Sequence, residues 1–313
     1  MGVRLLRRRS QRKASPLTPP QHSGARDPAA EPGYAWPVRI ARFAAGGDPQ
    51  FGVVELADDG GRYPDTVSVL TGDPIAMSVK LTGDRKELDS VRLLAPAIPR
   101  SKIVAVGRNY AAHAAEMGDE VPKTPLTFFK PNTSVIGPGE PIIYPAASRE
   151  VSFEGELALV IGRISKEVPI SRVPEVIFGY TIANDVTARD LQRTDGQWAR
   201  AKGYDTFCPL GPWITTHKRL EEVAALPIRT LLDGELRQDG NTKDMIFTIS
   251  ELVAYISSYT TLLPGDVILT GTPSGVWHML PGQVVSIEIE GIGTLTNPVA
   301  GTRPDETSDE AEQ

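Results

Sequence analysis

Cysteine is nearly absent from this chain of 313 residues. Cys208 is the only one, so no intrachain disulfide can form. That usage suits a reducing compartment, and a cytoplasmic location is the expectation. Histidine is scarce too, at four residues, which leaves no His/Cys cluster for a zinc site. No apolar run approaches the roughly 20 residues needed to cross a bilayer, so no membrane partner is expected. An excess of positive charge is also missing. Lys and Arg number 33 against 39 Asp and Glu, a net charge of −6, which argues against a nucleic-acid partner held by a basic surface. The start, MGVRLLRRRSQRKAS, is basic but has no apolar core long enough for a secretory signal. It carries no acid before Asp27, a faint likeness to a mitochondrial transit peptide, for which a plain extension is the simpler reading.

Composition divides the chain into four stretches. Residues 1–37 are rich in Pro, Ser, Gln and Arg without an apolar period, and such a segment cannot offset the entropy of ordering it. It is expected to be a disordered extension. Residues 38–97 form a small β-rich module: VRIARFA alternates apolar and polar, FGVVEL is a second short strand, and Asp58-Asp59-Gly60-Gly61 is a turn. APAIPRSK, with two prolines, reads as a linker. Residues 98–300 form the main domain, and residues 301–313 an acidic, disordered tail. Within the main domain LALVIG, VIFGYTIAND, PWITT, IRTLLDG, DVILTG and VVSIEIEG have strand character. AAHAAEM favours helix, and FTISELVAYISSYTTL has helical apolar spacing with Ser250 as a possible cap.

Chemistry gathers around carboxylates. In Phe153-Glu154-Gly155-Glu156-Leu157, the two glutamates stand two apart on a strand and therefore share a face. Like charges this close repel unless a proton or a cation intervenes. A hydrated strand edge is the plain alternative. Asp185, near the end of the strand Tyr180–Val186, adds a third acid beside a loop. Three carboxylates make a hard-oxygen site that suits Mg²⁺ with exchangeable waters, and Mn²⁺ would accept the same ligands. His113 and Glu116 lie three apart on the helical segment, so the carboxylate can orient the imidazole as a general base. A surface ion pair is the alternative. Lys202 and Lys130 compete to neutralise a developing enolate or a substrate carboxylate, and Arg189 and Gln192 follow Asp185. Cys208 is expected to be a small buried residue in a loop rather than a nucleophile.

Together these residues resemble the fumarylacetoacetate hydrolase family. The likeness rests on GRNYAAHAAEM, LTFFKPNTSVIGPGEPI, VSFEGELALVIG, GYTIANDVTARDLQ, AKGYDTFCPLGP and LLPGDVILTGTPSGV, in family order from about residue 102 to 298. It is similar to the acylpyruvase branch and to 2-hydroxyhepta-2,4-diene-1,7-dioate isomerases. The resemblance implies an α+β, mainly β fold, a mixed β-sandwich or β-roll with short helices, plus the small N-terminal module. A homodimer is implied as well. Glu154, Glu156 and Asp185 match the family's metal carboxylates, His113 and Glu116 its water-activating pair, and Lys202 its oxyanion lysine. Arg108, Tyr110, Lys130, Arg189, Gln192 and Thr272 match substrate-facing positions, and Met117 to Thr124 a mobile lid. A fourth metal acid found in the largest members is missing at Gly107-Arg108-Asn109. The expected reaction is Mg-dependent hydrolysis of a C–C bond in a small 2,4-dioxo acid. Isomerisation of the diene diacid, decarboxylation of oxaloacetate, and a non-catalytic metal or ligand-binding module remain as alternatives.

Overall fold

The computed structural model describes residues 38–57, 63–118 and 120–304. The expected disordered head, the Asp58–Gly61 turn and the tail beyond Pro304 lie outside the described residues.

Nineteen strands follow one another in these residues. They are β1 (Arg39–Ala44), β2 (Gln50–Glu55), β3 (Thr66–Leu70), β4 (Leu81–Glu87), β5 (Arg92–Leu94), β6 (Ile103–Gly107), β7 (Leu126–Lys130), β8 (Val135–Ile136), β9 (Ile142–Tyr144) and β10 (Val151–Ser152). Then come β11 (Gly155–Ile161), β12 (Ile177–Asn184), β13 (Thr187–Ala188), β14 (Cys208–Thr215), β15 (Pro227–Leu232), β16 (Glu235–Asn241), β17 (Val267–Leu269), β18 (Val284–Ile289) and β19 (Gly293–Gly301). The helices are short: α1 (Ala111–Glu116), α2 (Arg189–Asp195), α3 (Trp198–Ala201), α4 (Leu220–Val223) and α5 (Ile249–Tyr259). The fold is thus mainly β with mixed sheets, as the strand-rich sequence implies.

The large sheet runs β4-β3-β2-β1-β14-β12-β11-β17-β6-β7, with β5 on β1 and β8 on β14. A second sheet runs β16-β15-β18-β19-β9. Strand β1 pairs antiparallel with β14, so the N-terminal strands extend the main sheet. The linker, residues 95–102, carries no strand or helix: Ala95 and Ala97 are buried where β5 leaves its pairing with β1, while Ile98, Arg100 and Ser101 are exposed.

The centre of the sheet explains itself from its residues. Every residue of β11 is buried, as befits a strand covered on both faces, and after Glu156 it is spelled as a continuous apolar run. Gly155 opens that strand because the second sheet passes close: a Cβ there would sit 2.4 Å from Thr230 Oγ1. Helix α5 is capped by Thr248 rather than by Ser250. The Thr248 hydroxyl accepts from the Glu251 N–H, and the Glu251 carboxylate accepts from the Thr248 N–H, a reciprocal cap written in the sequence as T-I-S-E. Cys208 is buried, as expected, but it starts β14 rather than lying in a loop.

Register brings four chain ends together. Gly155 pairs with Asn184, Ala158 with Leu269, and Leu269 with Ala105. The start of β11 and the ends of β12, β17 and β6 therefore lie at one end of the sheet. The loops that leave them carry the polar residues described next.

Candidate active site

Glu154 precedes β11, Glu156 lies within it, and Asp185 follows β12. The backbone joins the first and last of these: the Asp185 N–H donates to the Glu154 carbonyl at 2.9 Å. All three acids are at least 95% buried, and one oxygen from each lies within 4.8 Å of the others. Glu156 is held further by the Gly271 N–H at 2.6 Å.

Three cations surround the acids. Lys202, just after α3, donates to Glu154 Oε2 at 2.8 Å, Asp185 Oδ2 at 2.9 Å and Thr187 Oγ1 at 2.7 Å. Lys130, at the end of β7, donates to Asp185 Oδ1 at 2.6 Å and also to the Lys202 carbonyl. Arg189 opens α2 and places Nη2 2.6 Å from Glu154 Oε1, close enough to pair in charge though not aligned as a hydrogen bond.

These neighbours separate two glutamates that are alike in sequence. Burial by itself would raise Glu154, but Lys202 and Arg189 outweigh it and hold the carboxyl well below its usual range. Glu156 is pushed well above that range by burial, and then by the charges of Asp185 and Glu154. Lys202 is raised despite its burial because Asp185 and Glu154 face it.

The site opens into a cavity of about 250 Å³. Glu154, Glu156, Lys202, Arg189, Gln192, Thr272, Arg108 and His113 all line it. His113, on α1, takes Glu116 Oε2 at 3.1 Å through Nδ1. Glu116 in turn accepts from the Gly275 N–H at 3.0 Å, which ties the rim helix to the loop after β17. Gly275 is required there: its φ is +95°, and a Cβ would meet the Arg237 carbonyl at 2.2 Å. The imidazole is thus oriented through one nitrogen, and it lines the same cavity as Glu154 and Glu156.

Some expected substrate-facing residues do not reach the cavity. Lys130 lies behind the acids, and Tyr110 is buried with its hydroxyl unpaired. Thr272 lines the cavity, but its hydroxyl already donates to the Gly155 carbonyl at 2.8 Å and accepts from Gln238. Of the expected lid, Met117 lines the cavity, and Asp119 lies outside the described residues.

The structure adds residues that the sequence did not mark. Gln238 is fully buried and saturated: it accepts from the Gly155 N–H and Thr230 Oγ1, and donates to Thr272 Oγ1 and the Pro273 carbonyl. It thereby fixes both the Glu-Gly-Glu turn and the loop after β17. Asn109 links the end of β6 to the Thr270 and Phe247 carbonyls. Trp198 forms a wall of the cavity, with Arg108 5.7 Å and Lys202 5.9 Å from its ring centre. Only the position of Trp198 four residues before Lys202 hints at this in the sequence.

A mixed β fold with a buried acid triad facing a histidine–glutamate pair defines a class, the fumarylacetoacetate hydrolase fold. The chain belongs to the fumarylacetoacetate hydrolase family. Residues 102–300 match fumarylacetoacetate (FAA) hydrolase C-terminal, and residues 38–96 match Rv2993c-like, N-terminal. The chain is 56% identical to Protein Rv2993c of Mycobacterium tuberculosis over 70% of its length and 82% of that protein. It is 38% identical to the oxaloacetate tautomerase Fahd2a, mitochondrial, of Rattus norvegicus, over 79% of its length and 84% of that protein. A 5-carboxymethyl-2-hydroxymuconate delta-isomerase structure from Mycobacterium smegmatis superposes with a TM-score of 0.76 at 48% identity, covering 84% of this chain and 99% of that one. Members of the family are enzymes, and they typically use a divalent metal. Among the described residues no helix is long and apolar enough to cross a membrane.

The donor set fits such a metal. It offers oxygen alone, from three carboxylates, as hard cations prefer. With metal–oxygen bonds of about 2.1 Å, ligand oxygens stand about 3 to 4 Å apart, and one oxygen from each of these acids lies within 4.8 Å of the others.

Proposed function

We propose that the chain is a Mg²⁺-dependent enzyme that hydrolyses a C–C bond in a small 2,4-dioxo acid. The observation that supports this reading is His113, held by Glu116, on the same cavity as Glu154 and Glu156 of the triad. Glu154, Glu156 and Asp185 hold the ion, and Mn²⁺ would satisfy the same oxygens. The bound metal supplies a Lewis acid that stabilises the enolate of the departing 2-oxo acid. His113 takes a proton from water through Nε2, since Glu116 engages Nδ1. The resulting hydroxide adds to the distal carbonyl, the C–C bond breaks to leave that carbonyl as a carboxylic acid, and the proton held by His113 passes to the released carbon to give the 2-oxo acid. Lys202 offsets negative charge as it develops. Arg189 and Gln192 orient the substrate carboxylate from α2.

A second reading is isomerisation or tautomerisation at the same site, with His113 moving a proton on carbon instead of activating water. Two relatives favour it, by the names they carry: an oxaloacetate tautomerase and a delta-isomerase. Oxaloacetate decarboxylation would use the same enolate. One assay separates these readings. The purified chain is offered acylpyruvates, oxaloacetate and a 2-hydroxy-diene diacid, with Mg²⁺ and with chelator. Release of pyruvate from acylpyruvates, abolished by chelator, is the expected result. Turnover of only the enol or diene substrates would overturn hydrolysis in favour of the second reading. Turnover indifferent to chelator would overturn the metal role.

A further inference from the structure

A second cavity, of about 350 Å³, shares no lining residue with the active-site cavity. Arg149, Arg237, Arg303 and His278 line it, beside an exposed Trp277. Among the described residues Glu150 is the one acid in its lining, and Arg193 holds that carboxylate at 2.5 Å. The three arginines come from distant parts of the chain: before β10, within β16 and after β19. Guanidinium groups gathered in one cleft repel one another and draw in anions.

The groups are arranged to receive oxygen. Arg303 donates from Nε to the Arg149 carbonyl at 3.1 Å, which anchors it at the cavity, while its two Nη groups have no hydrogen-bond partner among the described residues. The Arg237 guanidinium stands 5.2 Å from the Trp277 ring centre and gives one nitrogen to Glu235 at 2.7 Å. His278 meets Ser152 Oγ through Nδ1 at 3.2 Å, so its other ring nitrogen is left for a ligand. Arginine forks match pairs of oxygens on a carboxylate or a phosphate. Three of them beside one acid that is already paired call for more than one negative charge. We propose that this cleft binds a small oxyanion with two or more negative charges, a phosphate or a dicarboxylate, and that its occupancy firms the supports of the active site. The proposal is independent of the metal reading.

Those supports begin at the wall of the second cavity. The Glu150 carbonyl accepts from the Arg189 N–H at 2.7 Å, and Arg189 pairs with Glu154. His278 bridges to Ser152, two residues before Glu154. Arg237 precedes Gln238, and its carbonyl backs the turn at Gly275, whose N–H holds Glu116. An anion bonded to Arg149, Arg237 and His278 at once ties these three segments together. Local opening of them then requires losing the anion, so their amides exchange more slowly.

Calorimetric titration of the chelator-treated full chain, at constant ionic strength, tests the site. The probes are inorganic phosphate, succinate and, as a single charge, acetate. Saturable binding of phosphate, succinate or both is expected, with acetate much weaker, and the one that binds more tightly identifies the source of the anion. Arg303→Gln and His278→Gln change exposed side chains, so both variants should melt as the parent does. Each should weaken the anion, Arg303→Gln by about tenfold. Arg108→Gln, on the active-site cavity, should leave it unchanged. Hydrogen exchange at the Arg189 and Gly275 amides should slow when the anion is bound to the parent chain, and much less in Arg303→Gln at the same concentration. No saturable binding, acetate bound as tightly as the dianions, or equal binding by the parent and both cleft variants would overturn the site. Loss of binding in Arg108→Gln instead would place the anion in the active-site cavity and overturn it too. Unchanged exchange at both amides with the anion bound would overturn the link to the active site.

Discussion

The floor and the rim of the cavity are built in opposite ways. The floor is made by β11 and β12, neighbours in the middle of a large sheet, and its acids are buried among fixed cations. The rim is α1, a single helix of six residues, whose Glu116 carboxylate is about one-third exposed and is secured by the Gly275 N–H. A central strand cannot move without breaking two ladders of hydrogen bonds, whereas a six-residue helix is too short to be stable by itself. The difference teaches a division of labour. Rigid elements hold charge in place, and the less constrained element brings the proton-transfer group.

Substitutions can break that comparison or sharpen it. The largest effect is expected at the floor. Glu156→Gln keeps the shape and removes a ligand charge, and should weaken Mg²⁺ binding and turnover by more than about 100-fold, measured by calorimetry and steady-state kinetics. Next comes His113→Ala, which should lower turnover by about 100- to 10,000-fold while leaving metal affinity nearly intact. Loss of metal binding in that variant would show that floor and rim are not separable. Glu116→Gln should have a smaller effect, about tenfold on kcat, because the amide oxygen can still accept from Gly275 while the charge that supports the imidazolium is gone.

The smallest effect is expected away from both. Burial pushes the Cys208 thiol up to about 12 from an ordinary value of 9.0. The folded protein therefore keeps this proton at a pH where the unfolded chain has lost it. Stability from this group is complete below about pH 9 and is lost as the pH rises towards 12. At pH 8 the native protein should resist a thiol reagent that labels it fully in denaturant. Rapid labelling of the native chain would break the picture of a closed core beside the site.

Much of this was legible along the chain because it is set by local chemistry. Alternating or continuous apolar runs marked β1, β2, β11, β12, β14, β15 and β18, and the side-chain period of two put Glu154 and Glu156 on one face. The three-residue spacing of His113 and Glu116 gave their contact directly. The prolines of residues 95–102 made the linker legible, but the burial of Ala95 and Ala97 within it depends on β5 pairing with β1, more than 45 residues earlier. Gln238 was missed for a similar reason. Nothing near it in the chain marks a glutamine whose four partners come from three separate strands and loops.

By itself the sequence determined the longer strands at the centre of the sheets and which acids stand side by side, because both follow from neighbours in the chain. Tertiary structure alone decided what each acid became. Glu154 and Glu156 are the same residue type on either side of one glycine, yet one is held ionised and the other is pushed towards its neutral form. The physical reason is that Lys202 and Arg189 reach Glu154, whereas Glu156 faces burial and two like charges, and the fold alone fixes those distances.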